Sequence, residues 1–242
     1  MSAYGVFVAG TDTGVGKTRV TVGLLQALAR RGVCAVGMKP VAAGADSGVS
    51  PPINEDVALI RAAMAAGHAA AGIAAADINP YCFEWPISPH LAACRCGVTI
   101  EPKAIAAAYA RLARRCELLV VEGAGGWFAP IGEQTTMATI AAELALPVLL
   151  VVGLRLGCLN HALLSVRAIA AQGLALVGWV GSVLEPGMLA LADNIASLER
   201  WLPAPRLALL PFSPDRAGDA GALDGAAAVL QAAAAARPAV RP

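Results

Sequence analysis

The chain has 242 residues, which at roughly 150 residues per domain admits one large α/β domain with a sizeable core. Hydrophobic residues make up 57% and charged residues 14%, against a usual charged share of about 25%, which excludes general disorder, and the most continuous apolar stretch, residues 144–152, falls far short of the roughly 20 residues that span a bilayer. The net charge of +1 balances 18 basic against 17 acidic residues without a long basic run, so neither a nucleic-acid partner nor a membrane is expected.

The first residues carry no basic region ahead of an apolar one, so no secretory signal and a cytoplasmic location are expected. Residues 5–9 then read as a short apolar strand, followed by a Gly/Thr loop and a helix over 18–31 with Val20, Leu24, Leu25 and Leu28 at helical spacing. Residues 33–38 form a second strand, and the Gly/Pro/Ser-rich stretch 41–53 is expected to be an exposed, mobile loop suited to act as a lid. Asn54 caps a helix over 55–66. The stretch 67–89, with Pro80, Pro86 and Pro89, reads as a structured excursion outside the core.

A helix over 101–115 leads to an apolar strand, 118–121, which ends in Glu122 and a run of small residues. Helices then start at Thr135 or Thr136, at Asn160 (to 172) and at Pro186 (to 201), alternating with strands at 148–152, 174–180 and 207–210. Strands apolar on both sides and separated by helices predict a single-domain α/β fold, a mostly parallel sheet covered by helices on both faces. The domain is expected to span 1–230, with a low-complexity, frayed tail over 231–242. The six cysteines are scattered, and Cys94 and Cys96 stand too close for the usual zinc spacing, so they are read as reduced and buried.

The segment Gly10-Thr-Asp-Thr-Gly-Val-Gly-Lys-Thr, residues 10–18, lies between the first strand and the first helix. Gly14 and Gly16 let successive backbone N–H groups turn inward beneath a helix N-terminus, which gives phosphate oxygens a ring of donors. Lys17 reaches the β and γ phosphates and the Thr18 hydroxyl suits Mg2+, a hard cation that takes oxygen ligands. Only three of the 18 basic residues are lysines, which directs attention to Lys17 and Lys39 as compact point charges. Glu122, an acid directly after a buried strand, and Asp56, at the start of a helix, are placed to complete a metal site; Asp56 has the competing role of a first-turn acid that favours the helix dipole.

With these residues stand Met-Lys-Pro-Val (38–41), Asn-Pro-Tyr (79–81), Ser-Pro-His (88–90), Val-Glu-Gly-Ala-Gly-Gly-Trp (121–127), Leu-Gly-Cys-Leu-Asn-His (156–161) and Gly-Trp-Val (178–180). In this order they resemble the dethiobiotin synthetase family, within the P-loop NTPase fold. The resemblance implies an ATP- and Mg2+-dependent ring closure in biotin biosynthesis, in which 7,8-diaminononanoate and CO2 give dethiobiotin, ADP and phosphate through a carbamate and its mixed anhydride with phosphate. It implies catalytic roles for Lys17, Lys39 and Thr13. Nucleotide contacts are implied from Asp12, Thr13, Gly14, Val15, Gly16, Lys17, Thr18, Glu122, Gly123 and Ser182, and Mg2+ ligation from Thr18, Asp56 and Glu122. Substrate is assigned to Lys39, Gly125, Gly126, Gly157, Cys158, Leu159 and Asn160, the last four at the interface of a homodimer, with Trp127 and Pro130 shaping the substrate wall. His161 is equally read as a core histidine.

Two departures from the family pattern carry consequences. Ala43 stands where a serine often assists the carbamate, and Gly181 and Ser182 replace the segment whose Asn reads the adenine edge, which predicts a relaxed choice of nucleobase. A corrinoid-amidating ligase is disfavoured because 242 residues leave no room for an appended glutaminase domain. A switch ATPase acting on a protein partner is disfavoured because it would carry a second lysine early in the P-loop, where Asp12 stands.

Overall fold

The computed structural model describes residues 3–46, 48, 53–67, 69, 71–214 and 219–236. In its first half, β1 (Tyr4–Gly10), α1 (Lys17–Arg30) and β2 (Ala35–Met38) are followed by the short strands β3 (Val41–Ala43), β4 (Ala45–Asp46) and β5 (Ile53–Asn54), then α2 (Glu55–Ala66), α3 (Ala75–Ile78), β6 (Tyr81–Phe83), α4 (Pro89–Arg95) and α5 (Pro102–Leu112). The second half contains β7 (Leu118–Glu122), α6 (Met137–Glu143), β8 (Val148–Leu154), α7 (Cys158–Ala171), β9 (Leu176–Val183), α8 (Leu191–Trp201), β10 (Arg206–Leu210) and α9 (Asp224–Ala235).

Six strands pair in the order β10-β9-β8-β1-β7-β2, every pairing parallel. The continuous apolar runs of β7 and β8 are buried along their whole length, as expected of a parallel sheet with helices on both faces. On α1, Val20, Leu24, Leu25 and Leu28 are buried in the core at the spacing of one helix face. Asn54 caps α2 by accepting the Asp56 N–H at 3.0 Å, and Thr136 opens α6 with a capping box closed by Thr139. The connections reverse at β1, with β7 and β2 on one side and β8, β9 and β10 on the other. Loops leaving the carboxyl ends of the strands at such a reversal diverge and open a crevice, and the segment 11–16 leaves β1 there. No described helix is long and apolar enough to cross a membrane.

The structure corrects several expectations. The stretch 41–53 is not simply an exposed loop: Val41 and Ala42 are buried in β3, which pairs with β6 from the proline-rich excursion, and β4 pairs antiparallel with β5. Residues 47 and 49–52 of that stretch lie outside the described residues. The excursion itself contributes Ile78 and Phe83 to the core, because its prolines break long elements without preventing short apolar ones. α8 starts at Leu191, not at Pro186, and α9 continues to Ala235 inside the expected tail, of which 237–242 lie outside the described residues. All six cysteines are free, yet only Cys158 is buried, while Cys94 and Cys96 are exposed.

Candidate active site

Gly16 ends the loop after β1 at φ +90°, and a Cβ there would lie 2.9 Å from Ser182 Oγ on β9. Both the left-handed backbone and the close approach require glycine. No side chain caps α1, so its first N–H groups are left for an anion. Lys17 folds back over the loop, where its Nζ donates to the carbonyls of Asp12 at 2.9 Å and Gly125 at 2.7 Å. Burial pulls its ammonium from 10.5 down to about 8, against the neighbouring Glu122 carboxylate, which favours the charged form.

Lys39, in the turn after β2, donates to Glu122 Oε1 and Asp56 Oδ2, both at 2.6 Å. Burial acts to lower its pKa, but the Glu122 and Asp56 carboxylates outweigh burial and hold it above the ordinary lysine value. The Thr18 hydroxyl donates to Glu122 Oε1 at 2.7 Å. Four elements therefore converge, with α1 supplying Thr18, the end of β2 Lys39, the first turn of α2 Asp56 and the end of β7 Glu122. They line a cavity of about 770 Å3 together with Thr13, Gly14, Gly16, Lys17, Gly125, Pro130 and Ser182. That volume is in the range of sites for cofactors and small substrates.

The remaining expected residues stand outside this lining. Val15 is buried beneath the loop, Gly123 packs on the Phe7 ring, and Gly126 lies against the backbone of Thr11 and Asp12, so these three support the cradle from behind. Asp12 accepts from Thr13 N–H at 2.7 Å and pairs with Arg155 at 2.6 Å. Trp127 is not part of the wall; it is buried edge-on to Phe7 at 6.2 Å between ring centroids. His161 is half-buried, with its carbonyl accepting the Ser165 hydroxyl at 2.7 Å. Gly157, Cys158, Leu159 and Asn160 are gathered at the N-terminus of α7 but do not reach the cavity of their own chain. Cavity residues that the sequence reading did not assign include Arg19, Ser88, Pro89, Val183, Leu184, Ser213 and Pro214. Of these only the Ser-Pro-His segment gave a signal, as part of the resemblance.

Glu122 is fully buried, its Oε1 is shared by Lys39 and Thr18, and its Oε2 has no hydrogen-bond partner. A buried carboxylate oxygen without a partner is costly unless a cation or water uses it. Two carboxylates and a hydroxyl beside a phosphate cradle are the donor set of an ion that also takes phosphate oxygens and water, so Thr18, Asp56 and Glu122 fit Mg2+. Among the described residues no group of three or more His, Cys, Asp and Glu is placed to hold a metal ion.

Comparison with known proteins gives both a fold and a family. The family model described as AAA domain matches residues 4–219. The ATP-dependent dethiobiotin synthetase BioD of Ralstonia nicotianae is 47% identical over 211 residues, which cover 87% of this chain and 90% of that protein. The enzyme of the same name from Aromatoleum aromaticum is 47% identical over 205 residues, covering 85% and 89%, and that from Nitrosospira multiformis is 44% identical over 208 residues, covering 86% and 88%. Among solved structures, the cell division ATPase MinD of Pyrococcus furiosus superposes with a TM-score of 0.54 at 17% identity, covering 96% of this chain and 100% of that one. A ParA family ATPase from Chlorobium tepidum gives 0.54 at 14% identity, covering 96% and 92%. At such identities the two ATPases speak for the P-loop NTPase fold alone.

Proposed function

The chain belongs to the ATP-dependent dethiobiotin synthetase family, a ligase family of biotin biosynthesis, and from that premise we propose that it closes the ureido ring of dethiobiotin from 7,8-diaminononanoate and CO2, releasing ADP and phosphate. One substrate amine adds to CO2 and loses a proton, giving a carbamate. A carbamate oxygen attacks the γ-phosphorus of ATP and ADP leaves. The second amine then attacks the carbonyl carbon of the mixed anhydride, its proton is lost, phosphate departs and the cyclic urea is complete.

Transfer of a phosphoryl group needs positioning and charge neutralisation more than covalent help from the protein. Lys17 with Gly14 and Gly16 holds the phosphate chain, Thr13 faces its end, and Lys39 balances the negative charge shared by carbamate and γ-phosphate. Mg2+ held by Thr18, Asp56 and Glu122 would supply further neutralisation of the phosphate oxygens. The substrate chain lies along Gly125, which Gly126 backs from behind. Its carboxylate is taken at the N-terminus of α7, which favours an anion, by the N–H groups of Gly157, Leu159 and Asn160, while Cys158, whose N–H donates to the Arg155 carbonyl at 3.0 Å, holds the turn in shape. Because these four residues stand away from the cavity of their own chain, we place them against the cavity of a second copy, in a homodimer. In this reading the reaction is cytoplasmic and residues 1–230 form the synthetase unit.

The observation that carries the proposal is the meeting of two lysines with two carboxylates and a threonine hydroxyl on one phosphate-binding cavity. The test is phosphate release by the purified protein with ATP, Mg2+ and bicarbonate, with and without the diamine, while labelled carbon is followed into an acid-stable product. Release and incorporation in a one-to-one ratio, both lost in Lys17→Ala, are expected. Phosphate release indifferent to the diamine would defeat the proposal.

A further inference from the structure

Arg19 follows Lys17 and Thr18 in the first turn of α1, yet its side chain is only 9% exposed and is anchored away from the phosphate loop. Its Nη1 donates to the carbonyl of Pro211 at 2.6 Å, and its Nη2 stands 3.6 Å from Asp219 Oδ2. A buried guanidinium has given up its hydration, and its planar fork fixes the groups that it binds in direction as well as distance. Pro211 begins the segment after β10, and Ser213 and Pro214 of that segment line the cavity together with Arg19 itself. One helical turn further on, a Cβ on Gly23 would lie 2.9 Å from the backbone N of Asp219. Two successive turns of the phosphate-binding helix therefore grip the two sides of the same connection.

Three groups within the cavity lining bear on the nucleotide. Lys39, Asp56 and Glu122 carry the charge for the transferred phosphoryl group, and Gly14, Gly16 and Lys17 take the phosphate chain. Ser182, Val183, Leu184, Ser213, Pro214 and Arg19 are left for ribose and base. Ser182 is 3% exposed, and its hydroxyl lies 2.9 Å from the place of a Gly16 Cβ, so it is set beneath the phosphate loop. Base contacts then fall to Val183 and Leu184 on one side and to Ser213 and Pro214, in the segment 211–214, on the other.

We propose that Arg19 is a positioning residue for the nucleobase, which sets the 211–214 wall at a fixed distance from the phosphate loop through Pro211 and Asp219. The inference rests on the cavity being the nucleotide site. It separates the nucleotide into a phosphate part, bound without Arg19, and a base part that depends on it.

The test compares the intact protein with Arg19→Gln, Arg19→Lys and Asp219→Asn. Calorimetry gives the affinity of each for ATP and for inorganic tripolyphosphate in the presence of Mg2+, and steady-state rates give KM and kcat. Arg19→Gln is expected to weaken ATP about tenfold, which is about 1.4 kcal/mol, and tripolyphosphate less than about twofold. KM for ATP rises with the lost affinity while kcat changes less than about threefold, and Arg19→Lys, which restores one donor, falls between. Equal weakening of both ligands would mean damage to the phosphate loop and would overturn the proposal, as would an unchanged ATP affinity in a folded Arg19→Gln. Where Arg19→Gln fails to fold, Arg19→Lys and Asp219→Asn decide through the same ratio, lowered if the proposal holds and unchanged if it does not. A wild-type protein that binds ATP without diamine-dependent turnover would refute the proposed reaction, while the ratio of ATP to tripolyphosphate affinity would still decide the role of Arg19.

Discussion

Replacing Lys39 by methionine keeps most of the side-chain volume and removes the cation that Glu122 and Asp56 share. The two carboxylates respond differently, since the Asp56 side chain is 21% exposed and can turn to water while Glu122 is 0% exposed. Glu122 Oε1 is then left with the Thr18 hydroxyl alone, at 2.7 Å. Removing one partner of a buried ion pair costs about 3–5 kcal/mol, because the other charge stays buried without its counter-charge. At roughly 2–4 °C per kcal/mol for a chain of this size, Tm falls by about 6–20 °C. Melting curves of Lys39→Met paired with wild type give the deficit, and Glu122→Gln added to Lys39→Met should recover most of it, since the amide carries no charge and still accepts from Thr18. A Tm within about 2 °C of wild type, or a double variant no more stable than Lys39→Met, would refute the reasoning.

Three further outcomes are expected. Because burial lowers Lys17 to about 8, raising the pH past that value removes the charge that meets the phosphates; titrations of ATP from pH 7 to 9.5 should show affinity level below about 8 and falling about tenfold per pH unit well above it, whereas a flat profile would remove Lys17 from phosphate binding. Gly16→Ala must hold alanine at φ +90° with its Cβ 2.9 Å from Ser182 Oγ, which at about 1–3 kcal/mol for the backbone alone should lower Tm and abolish detectable ATP binding; a companion Ser182→Ala relieves the contact without correcting the backbone, so binding should stay lost. Asn54→Ala removes the cap that accepts the Asp56 N–H at 3.0 Å, at a cost of about 1 kcal/mol, and should raise the Mg2+ concentration needed for half-maximal activity, since Asp56 sits in that first turn.

The sheet and the phosphate loop were legible in the sequence because their signals are local. A run such as Leu-Leu-Val-Val ahead of Glu122 announces a buried strand, and Gly-Lys-Thr between a strand and a helix announces an anion site whatever the rest of the chain does. Glu122 and Asp56 were legible for the same reason, one ending a strand and the other opening a capped helix. Partnerships between distant segments were not legible. The pairing of Val41–Ala43 with Tyr81–Phe83 joins two stretches that each look like loops, because three residues are too few to show a period. Trp127 is expected in the substrate wall, and only the Phe7 ring edge-on to it shows that it packs in the core. Arg19 has the sequence character of a surface arginine, and only its contact with the carbonyl of Pro211, 192 residues away, reveals its burial.

The position of β1 has a consequence for how the chain acquires its shape during synthesis. It leaves the ribosome well before both of its neighbours in the sheet, β7 and β8, which are encoded more than 100 residues later. At about 5–20 residues per second, the six apolar residues of β1 from Gly5 to Gly10 wait roughly 5–20 s for the first partner to appear and longer for the second. No hairpin shortens the wait, because every pairing of the large sheet is parallel and closes a long loop. The strand from which the phosphate loop hangs is thus the one whose backbone stays unpaired longest, and nascent chains stalled before residue 118 should be the ones that chaperones retain.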